Sequence, residues 1–328
     1  MRIAVVYSLP FHQWVLTTVV DAARVRFGEE NVRTWTHHPL HDSDWLGSGS
    51  LRGLAEWRPD AVIVADMPFD PIRAVTTAPI VCTRHSIASR GNTWAPDLST
   101  VDLVACWSAR DVAEFACRNV PVNYVVVGCP WVAPLYDYSR TERGPGRVAL
   151  WAPSWNREFS RRVDVVRALR ALVDDGWTVR IRPHWATEWR EPDVVAGWRR
   201  EFRVLDASGA PYLALVTADV VICDVSGIAL LANAAPAWYR PAVVHIDPPT
   251  TEIAQFDPNG PEWLLRDRFG ERVDPRGDDG EILAAVRHVD AADNECVISE
   301  WIGPPASSRD AGYKLCEAIE AMFGKGPR

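Results

Sequence analysis

Apolar residues along this chain fall into short runs rich in valine, isoleucine and leucine, separated by stretches in which they recur every three or four positions. A short continuous apolar run bounded by turn residues predicts a buried strand, and the wider spacing predicts an amphipathic helix. On that reading the first half carries strands at Ile3–Tyr7, Ala61–Ala65, Ile80–Thr83, Leu103–Trp107 and Tyr124–Val127, with a helix over Trp14–Arg26 between the first two. The second half carries strands at Val148–Trp151, Thr178–Ile181, Val220–Cys223 and Ala242–Ile246. Between the first two of these, V-D-V-V-R-A-L-R-A-L-V-D-D predicts a helix that Gly176 ends. Strands alternating with helices imply an α/β protein whose parallel sheets are covered on both faces.

The alternation restarts once. S-R-T-E-R-G-P-G, residues 139–146, is polar and turn-rich, and a fresh strand follows it. The expected organisation is an N-terminal Rossmann-like domain over residues 1–140 and a C-terminal one over 147–305, with a last helix near Ser308–Phe323. Open parallel sheets bind ligands outside the carboxyl ends of their strands, so a central cleft faced by both sheets is the expected site.

Composition narrows the class. A chain of 328 residues has room for two domains. Its 48% hydrophobic and 24% charged residues suit a soluble globular protein, and a net charge of −8 argues against a broad nucleic-acid surface. No apolar run reaches the length of about 18 residues that a membrane span needs. The start, M-R-I-A-V-V-Y-S, lacks a signal peptide's length and cleavage site and reads as a first strand. The seven cysteines, at 82, 106, 117, 129, 223, 296 and 316, form no C-x-x-C pair. They read as small hydrophobes in a reducing cytoplasm, with no disulfide framework and no zinc site. Peripheral contact with the inner face of a membrane is compatible with all of this. Most of the sixteen tryptophans must be core, and those beside polar loops are candidates to stack on a ligand ring.

The candidate chemistry sits where the predicted strands stop. T-V-R-I runs into Arg182-Pro183-His184, and the proline ends the strand. V-A-L-W runs into A-P-S-W-N-R, which places Ser154 and Arg157 at a second strand end. A-D-V-V-I-C runs into D-V-S-G, where Asp224 precedes Ser226 and Gly227 at the opening of a helix. Helix N-termini favour anions, and glycine admits a close ligand. A plain N-cap is the alternative for Ser226. Together, a cation, an imidazole and an amide cradle at one sheet edge suit a pyrophosphate. Asp247, after V-V-H-I, is either a ribose ligand or a turn residue. In the first half, P-I-V-C-T ends in R-H-S-I-A-S-R-G, where His85 is either a general base with Arg90 as cationic help or a capping histidine. Arg157, Arg161 and Arg162 either steer an anion or form a solvated helix face. H-H-P-L-H-D-S-D, residues 37–44, fits no zinc spacing and reads as a polar loop.

The order H-x-x-x-x-[KR], A-P-[ST]-W, R-P-H, D-x-S resembles the CDP-glycerol glycerophosphotransferase family of teichoic-acid polymerases and primases, over residues 80–320. The family's H-G-T-P-L-K is matched at its ends by His85 and Arg90, and its A-P-T-W-R by Ala152-Pro153-Ser154-Trp155-Asn156, with the arginine either displaced to Arg157 or lost. R-P-H matches at Arg182–His184, and D-Y-S-S becomes Asp224-Val225-Ser226-Gly227. A late pattern is echoed by I-G-P-P-A-S-S-R-D-A, residues 302–311. The family's G-x-P-R-x-D turn stands here as Gly128-Cys129-Pro130-Trp131-Val132-Ala133, without the arginine or the aspartate, and the aspartate after D-Y-S-S is absent.

The resemblance implies a GT-B architecture with an acceptor-side first domain, a nucleotide-donor second domain, and a last helix, residues 306–328, returning to the first. It implies a transferase that moves a phospho-alcohol from CDP-glycerol or a related CDP-alcohol to a hydroxyl acceptor, lipid-linked or small, with release of CMP. His85 would take the acceptor proton. His184, Arg182 and the Ser226–Gly227 amides would stabilise the pyrophosphate, with Ser154, Asp224 and Asp247 completing the donor site. Neither a cofactor nor a metal is called for. A glycosyltransferase or UDP-sugar 2-epimerase-like enzyme on the same fold, and a non-catalytic nucleotide-binding or interaction module, remain alternatives.

Overall fold

The computed structural model describes residues 1–9, 11–36, 51–65, 69–84, 98, 100–117, 119–120, 122–137, 146–155, 162–207, 209–247, 261–274, 279–291 and 295–324. These fall into two α/β units. The first takes the described residues up to Arg84, those from Leu98 to Ala133, and those from Ser299 on; the second takes Pro134 to Ile298.

In the first unit, β1 (Ile3–Tyr7), β2 (Val32–Thr36), β3 (Ala61–Val64), β4 (Ile80–Cys82), β5 (Leu103–Cys106) and β6 (Asn123–Val126) form one parallel sheet in the order β2-β1-β3-β4-β5-β6. Strands β3, β4 and β5 are buried along their whole length, which is why they are continuous apolar runs. Helices α1 (His12–Val15), α2 (Thr17–Phe27), α3 (Leu51–Trp57), α4 (Asp70–Val75) and α5 (Ala109–Cys117) lie between the strands. The single helix predicted over Trp14–Arg26 is therefore two, broken at Leu16, whose backbone (φ −97°, ψ 0°) leaves the helical range while its side chain is fully buried.

In the second unit, β7 (Val148–Ala152), β8 (Thr178–Ile181), β9 (Arg203–Val204), β10 (Val220–Cys223), β11 (Ala242–Ile246) and β12 (Glu271–Val273) form a parallel sheet in the order β12-β11-β10-β7-β8-β9. Counted from β7, this is the 3-2-1-4-5-6 order of dinucleotide-binding sheets, read from the other edge. The chain runs outward from β7 through β8 to β9, then returns to the other side of β7 with β10. The strand order reverses between β7 and β10. Helices α6 (Val163–Asp174), α7 (Trp185–Arg190), α8 (Pro192–Glu201), α9 (Tyr212–Val216), α10 (Gly227–Ala234), α11 (Pro261–Leu264) and α12 (Asp279–His288) belong to this unit. Helix α6 buries Val165, Ala168, Leu169 and Leu172, and ends before Gly176, whose φ of +82° suits glycine.

Two helices close the described chain, α13 (Glu295–Ile302) and α14 (Ala311–Phe323). Helix α14 lies on α2 in the first unit. A side chain at Gly312 would stand 2.5 Å from the Thr18 carbonyl oxygen, and Arg26 pairs with Glu320. The two units divide at Pro134 and again at Ser299. The chain enters the second unit at Pro134, ahead of the polar segment at 139–146, because Tyr136 sets its ring edge-on to Trp238 at 6.4 Å. It returns at Ser299, ahead of residue 306. There Trp301 takes the Arg110 guanidinium over its ring, and Gly303, at φ +72°, passes close to the Trp107 carbonyl.

Candidate functional site

The reversal between β7 and β10 puts two turns side by side at the carboxyl end of the second sheet. β7 and β10 pair directly, with Ala152 opposite Cys223, so the residues after them emerge together. The Ser154 amide donates to Asp224 Oδ2 at 2.8 Å and ties the two turns. Asp224 is only 4% exposed, its Oδ1 has no hydrogen-bond partner among the described residues, and the buried Ser154 hydroxyl lies beside the carboxylate. Burial pushes the Asp224 carboxyl up to about 7, against the Ser154 amide and hydroxyl and the Arg266 charge, which all favour the ionised form.

Two residues on, Ser226 caps α10. Its backbone is extended and its hydroxyl accepts from the Ile228 amide at 3.4 Å. Gly227 is the first residue of the helix, G-I-A-L-L-A-N-A, which is apolar and buried beyond its first turn. The polar end of a buried helix thus lies two residues beyond the Ser154–Asp224 bond.

Next to β10, His245 on β11 is 1% exposed, with Nδ1 3.9 Å from Cys223 Sγ. Burial, with Arg266 close by, lowers its pKa to about 4, so the ring is neutral. Arg266, 2% exposed, pairs with Asp247, and Arg272 adds a second bond to the same carboxylate oxygen at 2.6 Å. The Asp247 carbonyl also accepts from Arg162 at 3.3 Å. The Asp247 carboxylate holds the end of β11 to the arginines around it.

On the other side of β7, β8 leads into Arg182 and His184. The Arg182 guanidinium donates from Nη2 to the carbonyls of Ala207 (3.2 Å) and Gly209 (2.6 Å), which follow β9. It therefore points to the sheet edge away from the reversal. Burial lowers its pKa to about 10, with Asp206, Tyr212 and Glu188 acting the other way. His184 is the N-cap of α7, its Nδ1 accepting from the Ala186 amide at 3.2 Å. In the neutral ring Nε2 then carries the proton and is a donor. So Ser154, Asp224, Ser226 and Gly227 come together at one turn pair, whereas Arg182 and Asp247 are engaged to either side.

His85, Arg90, Arg157 and the histidine-rich stretch 37–44 lie outside the described residues. The residue before His85 is described. Arg84 has a left-handed backbone (φ +60°) and is 5% exposed. Its guanidinium pairs with Asp111 on α5 at 3.0 Å and lies over the rings of Trp107 and Phe115. Asp111 also accepts from the Trp107 amide at 2.8 Å. Sequence reasoning missed this pair, and the only signal for it was an aspartate in the first turn of the helix after β5. Among the described residues no three metal-ligating side chains converge, and no helix is long and apolar enough to cross a membrane.

No protein-family model matches the chain, and no curated protein matches it. Solved structures do. The wall teichoic acid polymerase TagF superposes with a TM-score of 0.66 at 12% identity, over 99% of this chain and 90% of that one, and the same polymerase is known from a soak with CDPG. MnaA from S. aureus, in a structure with UDP, gives a TM-score of 0.58 at 12% identity over 100% and 99% of the two chains. UDP-GlcNAc 2-epimerase from Methanocaldococcus jannaschii gives 0.58 at 11% identity over 98% and 100%. The chain has the GT-B class of fold, two Rossmann-like units with parallel sheets, similar to that of these transferases and epimerases.

Proposed function

We propose that this protein is a transferase that seats a nucleoside-diphosphate-linked donor at the carboxyl ends of β7, β8 and β10. The observation that carries the reading is the turn pair at the strand reversal, where Ser154 and Asp224 are bonded and the Ser226-capped α10 opens next to them. That is where open α/β sheets take their ligands, and a helix N-terminus offers amide donors and the positive end of its dipole. Ser226 and Gly227 cradle phosphate oxygens, and His184, at the end of the neighbouring strand, donates from Nε2. Arg182 contributes its charge and fixes the loop after β9.

CDP-glycerol or a related CDP-alcohol is the donor we favour. The motif order supports it, as does a wall teichoic acid polymerase among the similar structures. In that reaction an acceptor hydroxyl oxygen attacks the β-phosphorus. The new P–O bond forms as the bond to the bridging oxygen breaks, CMP leaves with the electron pair, and His85 takes the hydroxyl proton. Catalysis is then positioning and charge stabilisation. A UDP-sugar enzyme is the second reading, favoured by the similarity to structures named for UDP and UDP-GlcNAc.

The test is thermal unfolding with CDP-glycerol, UDP-N-acetylglucosamine, and GDP- and dTDP-linked sugars. A donor at a hundred times its Kd stabilises by about 2.7 kcal/mol. The largest rise should come with CDP-glycerol, followed by CMP release when a polyol acceptor is added. A rise with the UDP-sugar alone moves the assignment to the second reading. Binding without turnover would leave a nucleotide-binding module, and no rise with any donor refutes the proposal.

A further inference from the structure

Asp224 is an awkward residue for the site just proposed. An ionised carboxylate next to a helix N-terminus repels the phosphates that the helix attracts. The charged neighbours do not neutralise it. From the turn after β7 it receives the Ser154 amide bond on Oδ2, with the Ser154 hydroxyl beside it. On its own strand, the Cys223 thiol is held neutral by burial, and on β11 His245 is neutral too. Arg266, from the turn Leu265–Asp267, lends its field, but its salt bridge is with Asp247. Two negative groups in one desolvated turn cannot both stay ionised.

We infer that a nucleoside diphosphate diester and a proton bind this site together: as the diphosphate seats on the amides opening α10, the carboxyl of Asp224 takes up a proton and becomes neutral. This rests on the donor site proposed above. The geometry permits it without rearrangement. The neutral acid keeps Oδ2 as acceptor for the Ser154 amide, and the proton goes to the partnerless Oδ1. With its pKa near 7, Asp224 is about half ionised in the free protein at neutral pH. The expected uptake is about half a proton per ligand at pH 7 and close to one at pH 8.5, with affinity falling up to about tenfold per pH unit above the carboxyl's range.

Isothermal titration of CDP-glycerol and UDP-N-acetylglucosamine tests this, because these diesters have no ionisation of their own near neutrality. Measured in buffers of different ionisation enthalpy, the binding heat of the unaltered protein should report the uptake and its rise with pH. Asp224→Asn keeps the shape and the acceptor for Ser154. It should abolish the uptake, flatten the pH dependence, and bind at least as tightly as the unaltered protein at pH 8.5. Binding without uptake, or uptake that survives Asp224→Asn but disappears in His184→Asn, overturns the inference and leaves the donor site standing. Failure of both diesters to bind overturns the donor site and the inference with it. The measurement on the unaltered protein decides the matter even where the variant does not fold.

Discussion

Replacing Asp224 with asparagine should make the protein more stable, by an amount that depends on pH in a fixed way. The carboxyl has a pKa of about 7 in the fold against an ordinary 3.8, chiefly because it is buried. At about 1.4 kcal/mol per unit, keeping it ionised in the fold costs on the order of 4 kcal/mol. Below about pH 4 both folded and unfolded chains hold the proton, and the cost is absent. Between about pH 4 and 7 the unfolded chain releases its proton while the folded chain keeps it, so the unfolded state binds fewer protons and stability falls with rising pH. Above about pH 7 the full cost is present. Asparagine has the shape of the protonated acid, keeps an acceptor for the Ser154 amide, and carries none of this cost. The gain from Asp224→Asn should therefore climb by up to about 1.4 kcal/mol per pH unit between pH 5 and 7 and level off above, at about 2–4 kcal/mol, water entering the turn making both the climb and the plateau smaller. Urea unfolding at pH 5, 6, 7 and 8, without ligand, measures it. A gain that is the same at every pH, or a loss at pH 8, would refute the argument that burial dominates this carboxyl.

The other expectations concern packing and the division of labour between histidines. Gly312→Ala should destabilise by about 1–3 kcal/mol despite the better helix former, since its Cβ would meet the Thr18 carbonyl at 2.5 Å and Ala22 Cβ at 2.9 Å; a stabilised variant in urea would mean that α14 and α2 are not in close register. Asp111→Ala should cost about 3–5 kcal/mol by leaving Arg84 buried and uncompensated, and Arg84→Met with Asp111→Leu together should cost less than the single change. A double-variant loss equal to the sum of the two single losses in chemical unfolding would show that the pair is not a unit. His184→Ala should weaken binding of CDP-glycerol by about 1.5–3 kcal/mol, the worth of one hydrogen bond to a charged group. His85→Ala should leave that binding nearly intact and slow single-turnover CMP release by roughly 10²–10⁴-fold; full rate in that variant removes His85 from the role of base.

What could be read from the chain follows from where each strand lies in its sheet. Most interior strands are buried on both faces, so they are unbroken apolar runs such as A-V-I-V and V-V-I-C, and the pattern finds them; T-V-R-I, next to an edge, is found by its alternation. The strands it missed are β2, β9 and β12, and all three are sheet edges. V-R-T-W-T, R-V and E-R-V are short and carry exposed charged residues, because an edge needs no continuous apolar face. β6 is an edge as well, and was found only because N-Y-V-V is apolar despite its exposure.

The site divides in a similar way. Ser154, Asp224 and Ser226 were legible as polar residues at the ends of apolar runs. The bond between Ser154 and Asp224 spans 70 positions and depends on β7 lying next to β10, which periodicity does not encode. Neither does it encode which way Arg182 points, nor that Arg266 and Arg272 occupy Asp247. The Arg84–Asp111 pair was hidden for another reason. Burying a guanidinium requires a carboxylate and two aromatic rings that come together only once β4, β5 and α5 have folded.

The packing of α14 on α2 has a consequence for how the chain is made. The first unit is interrupted, and its last helix ends at Phe323. During vectorial synthesis the whole of the second unit, through Ile298, is made before that helix. Until then α2 has no partner for the face that Gly312 will meet, and apolar surface stays open on the earlier-made half. The N-terminal domain usually folds first, but here the first unit cannot complete its packing until the second has been made. The face of α2 is covered only once α14 has been added.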